Sequence, residues 1–255
     1  MNANRLEPLD AIRTEGRRRT LRWFGAVFGL AFPAVATWAY FVFAAQFSMA
    51  VQQTTYLVVK CIQFAFPLVW VWLVLGERLT LRRPDSRGLV LGAAFSVLVV
   101  GAGWFVFDLA LRDTAAFSSA IPKIHAKIVQ FGIDSPWKYA VLGVFYSLIH
   151  SLLEEYYWRW FVFRQLRGVL ALWPAILVSA IGFMAHHVIV LGEFFQEMPW
   201  LAWLLASAVA VGGVFWAWLY ERSGSLYSTW LSHLLLDAGI FWVGYDLMHS
   251  ALSAL

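Results

Sequence analysis

The sequence GLVLGAAFSVLVVGAGWFVFDLA occupies residues 88–110 and contains a single ionisable side chain, Asp108. A helix that crosses a bilayer needs roughly 20 consecutive apolar residues, and this stretch is long enough. Its apolar run is continuous rather than alternating, which disfavours a transmembrane β-strand. Residues 88–110 therefore predict a transmembrane helix.

Similar apolar stretches recur on both sides of this one. We predict seven spans in all, at residues 23–46, 54–76, 88–110, 137–163, 174–192, 200–220 and 227–247. Residues 114–133 could add an eighth helix, either spanning or lying at the interface. The predicted fold class is all-α: a polytopic transmembrane helical bundle of about seven spans.

The composition of the chain agrees with a membrane protein. Of its 255 residues, 61% are hydrophobic and 13% are charged, whereas soluble domains carry about 25% charged residues. Lipid must therefore cover part of the surface, which excludes an ordinary cytosolic enzyme, a disordered regulator and a nucleic-acid binder. The single cysteine, Cys61, excludes a disulfide framework and a cysteine-based metal site.

The distribution of Lys and Arg predicts the orientation of the chain. The chain has 19 Lys and Arg residues. With seven spans, only four of them lie in segments on one side of the membrane, namely Arg112, Lys123, Lys127 and Lys138. Thirteen fall on the other side: Arg5, Arg13, Arg17, Arg18, Arg19, Arg22, Arg78, Arg82, Arg83, Arg87, Arg164, Arg167 and Arg222. The positive-inside rule then places the N-terminus in the cytoplasm and the C-terminus outside.

Ionisable side chains inside the predicted spans concentrate in the second half of the chain. A charge at mid-membrane costs at least about 2.5 kcal/mol, so such residues are functional candidates. The first three spans contribute only Lys60 and Asp108. The fourth, fifth and seventh spans contribute His150, Glu154, Glu155, Arg159, His186, His187, His233 and Asp237. This concentration predicts one site between those three helices.

Helical spacing sorts these residues by face. Residues four apart stack along one side of a helix, so Glu155 should meet Arg159. His233 and Asp237 should stack in the same way. Glu154 points about 100° away from Glu155, which leaves one glutamate free for chemistry. The adjacent histidines at 186 and 187 also diverge, so we expect at most one to face the site directly.

Three short patterns follow one another in separate spans: Glu154-Glu155-x-x-x-Arg159, Phe183-x-x-x-His187 and His233-x-x-x-Asp237. Together they resemble the motifs of the CAAX-protease and bacteriocin-processing (CPBP/Abi) family of intramembrane endopeptidases, relatives of the Ras-converting-type prenyl proteases. The third motif of that family ends in Asn or a similar residue, and Asp is an accepted variant. The resemblance covers about residues 150–240.

The resemblance implies an intramembrane endopeptidase whose site opens toward the cytoplasm. Its substrate would be a membrane-anchored or prenylated peptide. The implied catalytic residues are Glu154, His187, His233 and Asp237, with Glu155, Arg159, Phe183 and His186 in support. The chain then divides into a basic cytoplasmic leader (1–22), N-terminal helices with an outer loop (23–136), a catalytic helical core (137–247) and a short tail (248–255).

Several alternatives stay open at the level of sequence. Two histidines and a carboxylate also match the ligands of zinc hydrolases, so Glu154, His187 and His233 are candidate ligands for a divalent metal. A catalytically silent scaffold or chaperone would keep the same pocket. A proton-coupled transporter would use Glu and His as relays, but no internal repeat supports it. The pairs Gly25/Gly29 and Gly88/Gly92 have the Gly-x-x-x-Gly spacing of close helix contacts, yet the oligomeric state is not predicted.

Overall fold

The computed structural model describes residues 6–78, 80 and 82–253, and these residues form helices and no strand. There are eight long helices in this part of the chain: α1 (6–46), α2 (Met49–Val74), α3 (Ser86–Leu111), α4 (Ala115–Gln130), α5 (136–167), α6 (Leu172–Phe194), α7 (Pro199–Ser223) and α8 (Leu226–Ser253). The prediction of an all-α bundle is confirmed.

Five of these helices, α1, α2, α3, α6 and α7, combine the length and apolarity needed to cross a membrane. Helices α5 and α8 carry the ionisable residues of the first and third motifs, which lower their mean hydropathy. The outer surface of the bundle is apolar: Val97, Leu98 and Leu109 are 69%, 71% and 69% exposed. Because water does not solvate such a surface, the chain is an integral membrane protein. The total of seven spans stays a prediction.

Local sequence signals set the helix ends. The Asp85 carboxylate accepts a hydrogen bond of 2.8 Å from the Gly88 N–H and caps the start of α3. Pro136 and Pro199 occupy the first turn of α5 and α7, where a missing N–H is tolerated. At the other end of α7, Gly224 adopts φ 64°, the left-handed conformation that terminates helices.

Two predicted segments differ in detail from the structure. The basic leader is helical from Leu6 and continues into the first span as part of α1. The segment 114–133 contains the 16-residue helix α4, which includes Pro122. At 1.5 Å per residue this helix is about 24 Å long, short of a hydrocarbon core of about 30 Å. Its length favours the interfacial alternative over a span.

Helix α5 is the central helix of the bundle and is irregular around the glutamate pair. Its segments Tyr146–His150 and Tyr156–Phe163 are π-helical, and the α-helical turn Ser151–Glu155 lies between them. Residues 157–163 are all buried. Single π-helical turns are rare and occur frequently at functional sites. The wider turns change the direction of the side chains on both sides of the glutamates.

Small residues bring α8 close to α3. A Cβ atom at Gly92 would lie 2.7 Å from the Ser228 carbonyl oxygen, so only glycine fits at this approach. One turn further along, the Ser96 hydroxyl donates to the Ser232 carbonyl over 2.6 Å. The Gly88/Gly92 face therefore packs within the chain. This contact fixes the position of α8, which carries the third motif, relative to the rest of the bundle.

Candidate active site

Glu154 lies at the centre of a buried group of imidazoles. Its side chain is only 6% exposed. One carboxylate oxygen, Oε1, lies 3.6 Å from His186 Nε2 and 4.0 Å from His150 Nε2, and Oε2 lies 3.7 Å from His233 Nε2. These separations exceed those of direct hydrogen bonds. The carboxylate is thus surrounded by polar ring nitrogens without being tightly bound to any of them.

Glu155 has a different environment, although it is adjacent in sequence. Its side chain is 0% exposed, and Oε1 accepts hydrogen bonds of 2.8 Å from both Arg159 Nη1 and His233 Nδ1. The contact with Arg159 is the one that helical spacing predicts. The bond to His233 joins α5 to α8 and orients the imidazole ring. Glu155 is therefore held by direct hydrogen bonds, whereas Glu154 makes none to the neighbouring imidazoles.

Arg159 lies against two aromatic rings that also contact each other. Its guanidinium carbon lies 4.7 Å from the ring centroid of Phe183 on α6 and 4.9 Å from that of Trp216 on α7. Such cation–π contacts contribute up to about 2 kcal/mol when the cation is desolvated. Trp216 also stacks on His233, with centroids 4.2 Å apart and planes inclined by 18°. These contacts fix the motif helices in one arrangement.

The ring of His233 is fixed at one nitrogen, Nδ1, and is open at the other. While Nδ1 is bonded to Glu155, Nε2 faces Glu154 and lies 3.6 Å from Asp237 Oδ1. Spacing alone predicts the proximity of Asp237, one turn along α8, and the structure brings the two together. The Glu155 contact orients the ring, so Asp237 and Nε2 are left pointing at the same space beside Glu154.

The adjacent histidines of α6 both lie near this group, with ring centroids 4.1 Å apart. His186 is the one in contact with Glu154, and its ring stacks parallel to that of Trp158 at a centroid distance of 5.7 Å. The His187 ring approaches that of Phe183 to 4.8 Å, and its Nδ1 is 2.9 Å from the Phe183 carbonyl oxygen. That bond leaves Nε2 of His187 as the nitrogen available to a substrate or water. The structure thus brings His186, rather than His187, within 4.0 Å of the Glu154 carboxylate.

The candidate zinc ligands do not converge as a metal site. Within the described residues, no group of three or more His, Cys, Asp and Glu side chains is arranged to hold a metal ion. His187 and His233 each hold Nδ1 against an acceptor, Phe183 and Glu155, and leave Nε2 free, as histidines that bind metals through Nε2 commonly do. A divalent metal at Glu154, His187 and His233 therefore stays a prediction.

Sequence reasoning did not identify Trp216 as part of the site. This residue contacts Arg159 and His233 and donates from Nε1 to the Ser232 hydroxyl over 2.9 Å. It lies in the sixth predicted span, which carries none of the three motifs. The chain has 15 tryptophans, so its residue type alone gives no signal. Only the packing of α7 against the motif helices reveals it.

Comparison with known proteins agrees with the position of these residues in the chain. No curated protein and no solved structure matches the chain significantly. Residues 136–239 match the family described as Type II CAAX prenyl endopeptidase Rce1-like. This region extends from the start of α5 to just beyond Asp237 and so includes Glu154, both α6 histidines and His233. Over residues 136–239 the chain is therefore similar to the Rce1-like family of type II CAAX prenyl endopeptidases.

Proposed function

We propose that this protein is an intramembrane endopeptidase that hydrolyses a peptide bond in a prenylated or otherwise membrane-anchored substrate. The observation that carries the proposal is the state of Glu154. Its carboxylate is buried within 4.0 Å of three imidazoles and is bonded directly to none of them. A carboxylate in this state can accept a proton from water, as a general base must. The family match supports peptide hydrolysis as the reaction.

In the proposed first step, Glu154 takes a proton from a water molecule while the water oxygen attacks the carbonyl carbon of the scissile bond. The carbonyl oxygen becomes an oxyanion. His233 acts in its doubly protonated form. Its Nδ1 proton is held by Glu155, and its Nε2 proton is donated to this oxyanion. Donors fixed in place before the reaction stabilise such an anion effectively. Asp237 lies beside the same nitrogen and helps to orient the substrate.

In the second step, the tetrahedral intermediate collapses and the carbon–nitrogen bond breaks. The leaving amine takes the proton that Glu154 acquired from water, so no net proton is gained or lost by the enzyme. His187 presents Nε2 for the water and the leaving amine, since its Nδ1 is fixed by the Phe183 carbonyl. His186, with Nε2 at 3.6 Å from Glu154, limits the space in which the carboxylate can move. Glu155 and Arg159 keep α5 and α8 in register.

We further propose that the N-terminus is cytoplasmic and that the site receives its substrate from the cytoplasmic side. Thirteen of the 19 Lys and Arg support this orientation. Prenylated proteins are attached to the cytoplasmic leaflet, so the scissile bond would reach the bundle from that side. An apolar environment between helices suits the lipid chain.

The proposal is tested by cleavage of a farnesylated peptide by the purified, detergent-solubilised protein. Glu154→Gln keeps the shape of the side chain and removes its basicity, so we expect it to abolish cleavage. Glu197→Gln is the matched control, because that glutamate is exposed and pairs only with Lys123 at 3.6 Å. The control should cleave at the wild-type rate.

Two outcomes would refute the proposed function. Cleavage by the Glu154→Gln variant at the wild-type rate would remove Glu154 from the chemistry. Absence of cleavage by a well-folded wild-type protein across farnesylated and geranylgeranylated peptides would favour a silent scaffold. Comparison of membrane peptide termini in cells with wild-type protein and with the Glu154→Ala variant provides the same test on natural substrates.

A further inference from the structure

Lys60 on α2 is a cation within a predicted span that the proposed reaction does not use. Its Nζ donates to the Gln63 side-chain oxygen over 3.3 Å and lies 5.5 Å from the Phe64 ring centroid and 6.0 Å from that of Tyr56. These partners are neutral. Among the ion pairs of the described residues, none includes Lys60, whereas Arg159 on α5 is paired with Glu155. A membrane-embedded ammonium without a paired anion is costly and marks a functional site by default.

Lys60 belongs to the surroundings of the Glu154 carboxylate. Helix α2 packs against the π-helical part of α5, and the Lys60 ammonium interacts electrostatically with Glu154 and His150. The ring of Tyr146 lies 4.6 Å from that of His150, whose Nε2 is 4.0 Å from the Glu154 carboxylate. Lys60 therefore adds a positive charge near Glu154 from a helix, α2, that carries none of the three motifs.

Gln63 adds a second donor beside the cation. It is 2% exposed, and its side-chain oxygen is used by Lys60. Its amide nitrogen can then donate to a ligand beside the ammonium. An ammonium and an amide N–H next to each other are suited to binding a carboxylate, because each of its two oxygens can accept one hydrogen bond.

We propose that Lys60, with Gln63, binds the C-terminal carboxylate of the substrate and so places the scissile bond over Glu154. This inference rests on the proposed peptidase function and names the part of the substrate that is recognised. An extended chain advances at most about 3.6 Å per residue, so few residues can separate groups that bind at neighbouring places in one site. A carboxylate held on α2 would thus select a bond near the end of the substrate chain. A peptide that continues beyond this point would lack the anion and leave the ammonium unpaired.

If Lys60 had a purely electrostatic role, a different result would be expected. If Lys60 only stabilised the charge of Glu154 or the oxyanion, its loss would slow every substrate by the same factor. If it binds the terminal carboxylate, the loss depends on whether the substrate has that group. Two peptides that differ only at the end, one with a free carboxylate and one with a carboxamide, separate these roles.

The experiment uses one farnesylated tetrapeptide in both forms, with the full-length protein in detergent. We expect wild-type kcat/KM to be at least tenfold higher for the acid than for the amide. Lys60→Met should bring that ratio close to one, and Lys60→Arg should retain a clear preference for the acid. The control is Lys127→Met, which removes a cation that lies over the rings of Tyr40, Phe41 and Phe131 and should keep the wild-type ratio. Equal slowing of both peptides by Lys60→Met, or equal rates in the wild type, would overturn the proposal.

A binding assay distinguishes failure of this proposal from failure of the proposed peptidase function. The same acid and amide are prepared with a reduced, non-cleavable bond, and their affinities for the wild type and the two methionine variants are measured by fluorescence polarisation. We expect the acid to bind at least tenfold more tightly, and Lys60→Met to remove the difference. If this result holds while no peptide is cleaved, the carboxylate site stands and the peptidase function fails. If cleavage requires Glu154 but neither assay distinguishes the acid from the amide, the carboxylate site fails alone.

Discussion

The substitution Glu155→Gln should destabilise the fold, although it changes a single atom. The new amide can still accept a hydrogen bond from His233, but it no longer neutralises Arg159, which is 1% exposed and has Glu155 as its ion-pair partner. Removing one member of a buried pair costs about 3–5 kcal/mol, because the other charge is left uncompensated. We expect the lower end of that range, since the two aromatic rings in contact with Arg159 remain in place.

The expected effect is large enough to measure as a melting temperature. For chains of this size, 1 kcal/mol corresponds to roughly 2–4 °C. A cost of about 3 kcal/mol therefore predicts a decrease of roughly 6–12 °C in Tm. The control is Glu154→Gln, whose carboxylate makes contacts of only 3.6–4.0 Å with its imidazole neighbours. Its Tm should stay within about 2 °C of the wild type, because no direct hydrogen bond is lost.

A double substitution tests the physical cause. Arg159→Met in the Glu155→Gln background removes the stranded cation, so the double variant should melt at a higher temperature than Glu155→Gln alone. Such non-additivity is expected only for residues that interact directly. The reasoning is refuted if the double variant is the less stable of the two. It is also refuted if Glu155→Gln and Glu154→Gln melt at the same temperature.

Three further predictions concern the histidine pair, the α3–α8 contact and the topology. His187→Ala should lose essentially all cleavage, and His186→Ala about tenfold or less, in purified variants of equal folded fraction; the opposite order would transfer the proposed role to His186. Gly92→Leu should lower Tm because its Cβ would lie 2.7 Å from a backbone carbonyl of α8, whereas Gly101→Leu has no neighbour within 4 Å and should not. A reporter fused to the C-terminus should be extracytoplasmic, and a reporter in the loop between α2 and α3 should be cytoplasmic. If both reporters were on the same side, the number of spans between them would be even and the seven-span topology would be wrong.

The helical class of the fold follows from the sequence because it depends on composition and on the pattern of apolar residues along the chain. Long apolar stretches can satisfy their backbone hydrogen bonds in a membrane only as helices or closed barrels, and the continuous pattern selects helices. Contacts four residues apart follow from the same period, as Glu155 and Arg159 illustrate. Helix α5 departs from this regularity, since the π-helical turns beside the glutamates have a different period.

Contacts between helices could not be derived in this way. The bond from His233 to Glu155 joins residues 78 positions apart, and it depends on how α3, with its glycines, positions α8. The histidine pair shows a second limit. Spacing predicts that one of the two rings turns away, yet the rings lie 4.1 Å apart because His187 bends back to the carbonyl of its own helix. Side-chain rotation here compensates for the divergence of the backbone.

The position of Arg159 means that the shape of this cation matters as well as its charge. The rings of Phe183 and Trp216 meet edge to face, with centroids 6.1 Å apart, and the guanidinium lies in the corner between them. Because a guanidinium group is flat, it can lie against both rings while one edge remains directed at Glu155. It thereby joins α5 to the contact between α6 and α7 at the level of the site. An ammonium group is compact and strongly hydrated, so a lysine would keep the charge without filling this corner. Exchange of Arg159 for lysine is therefore not a conservative change.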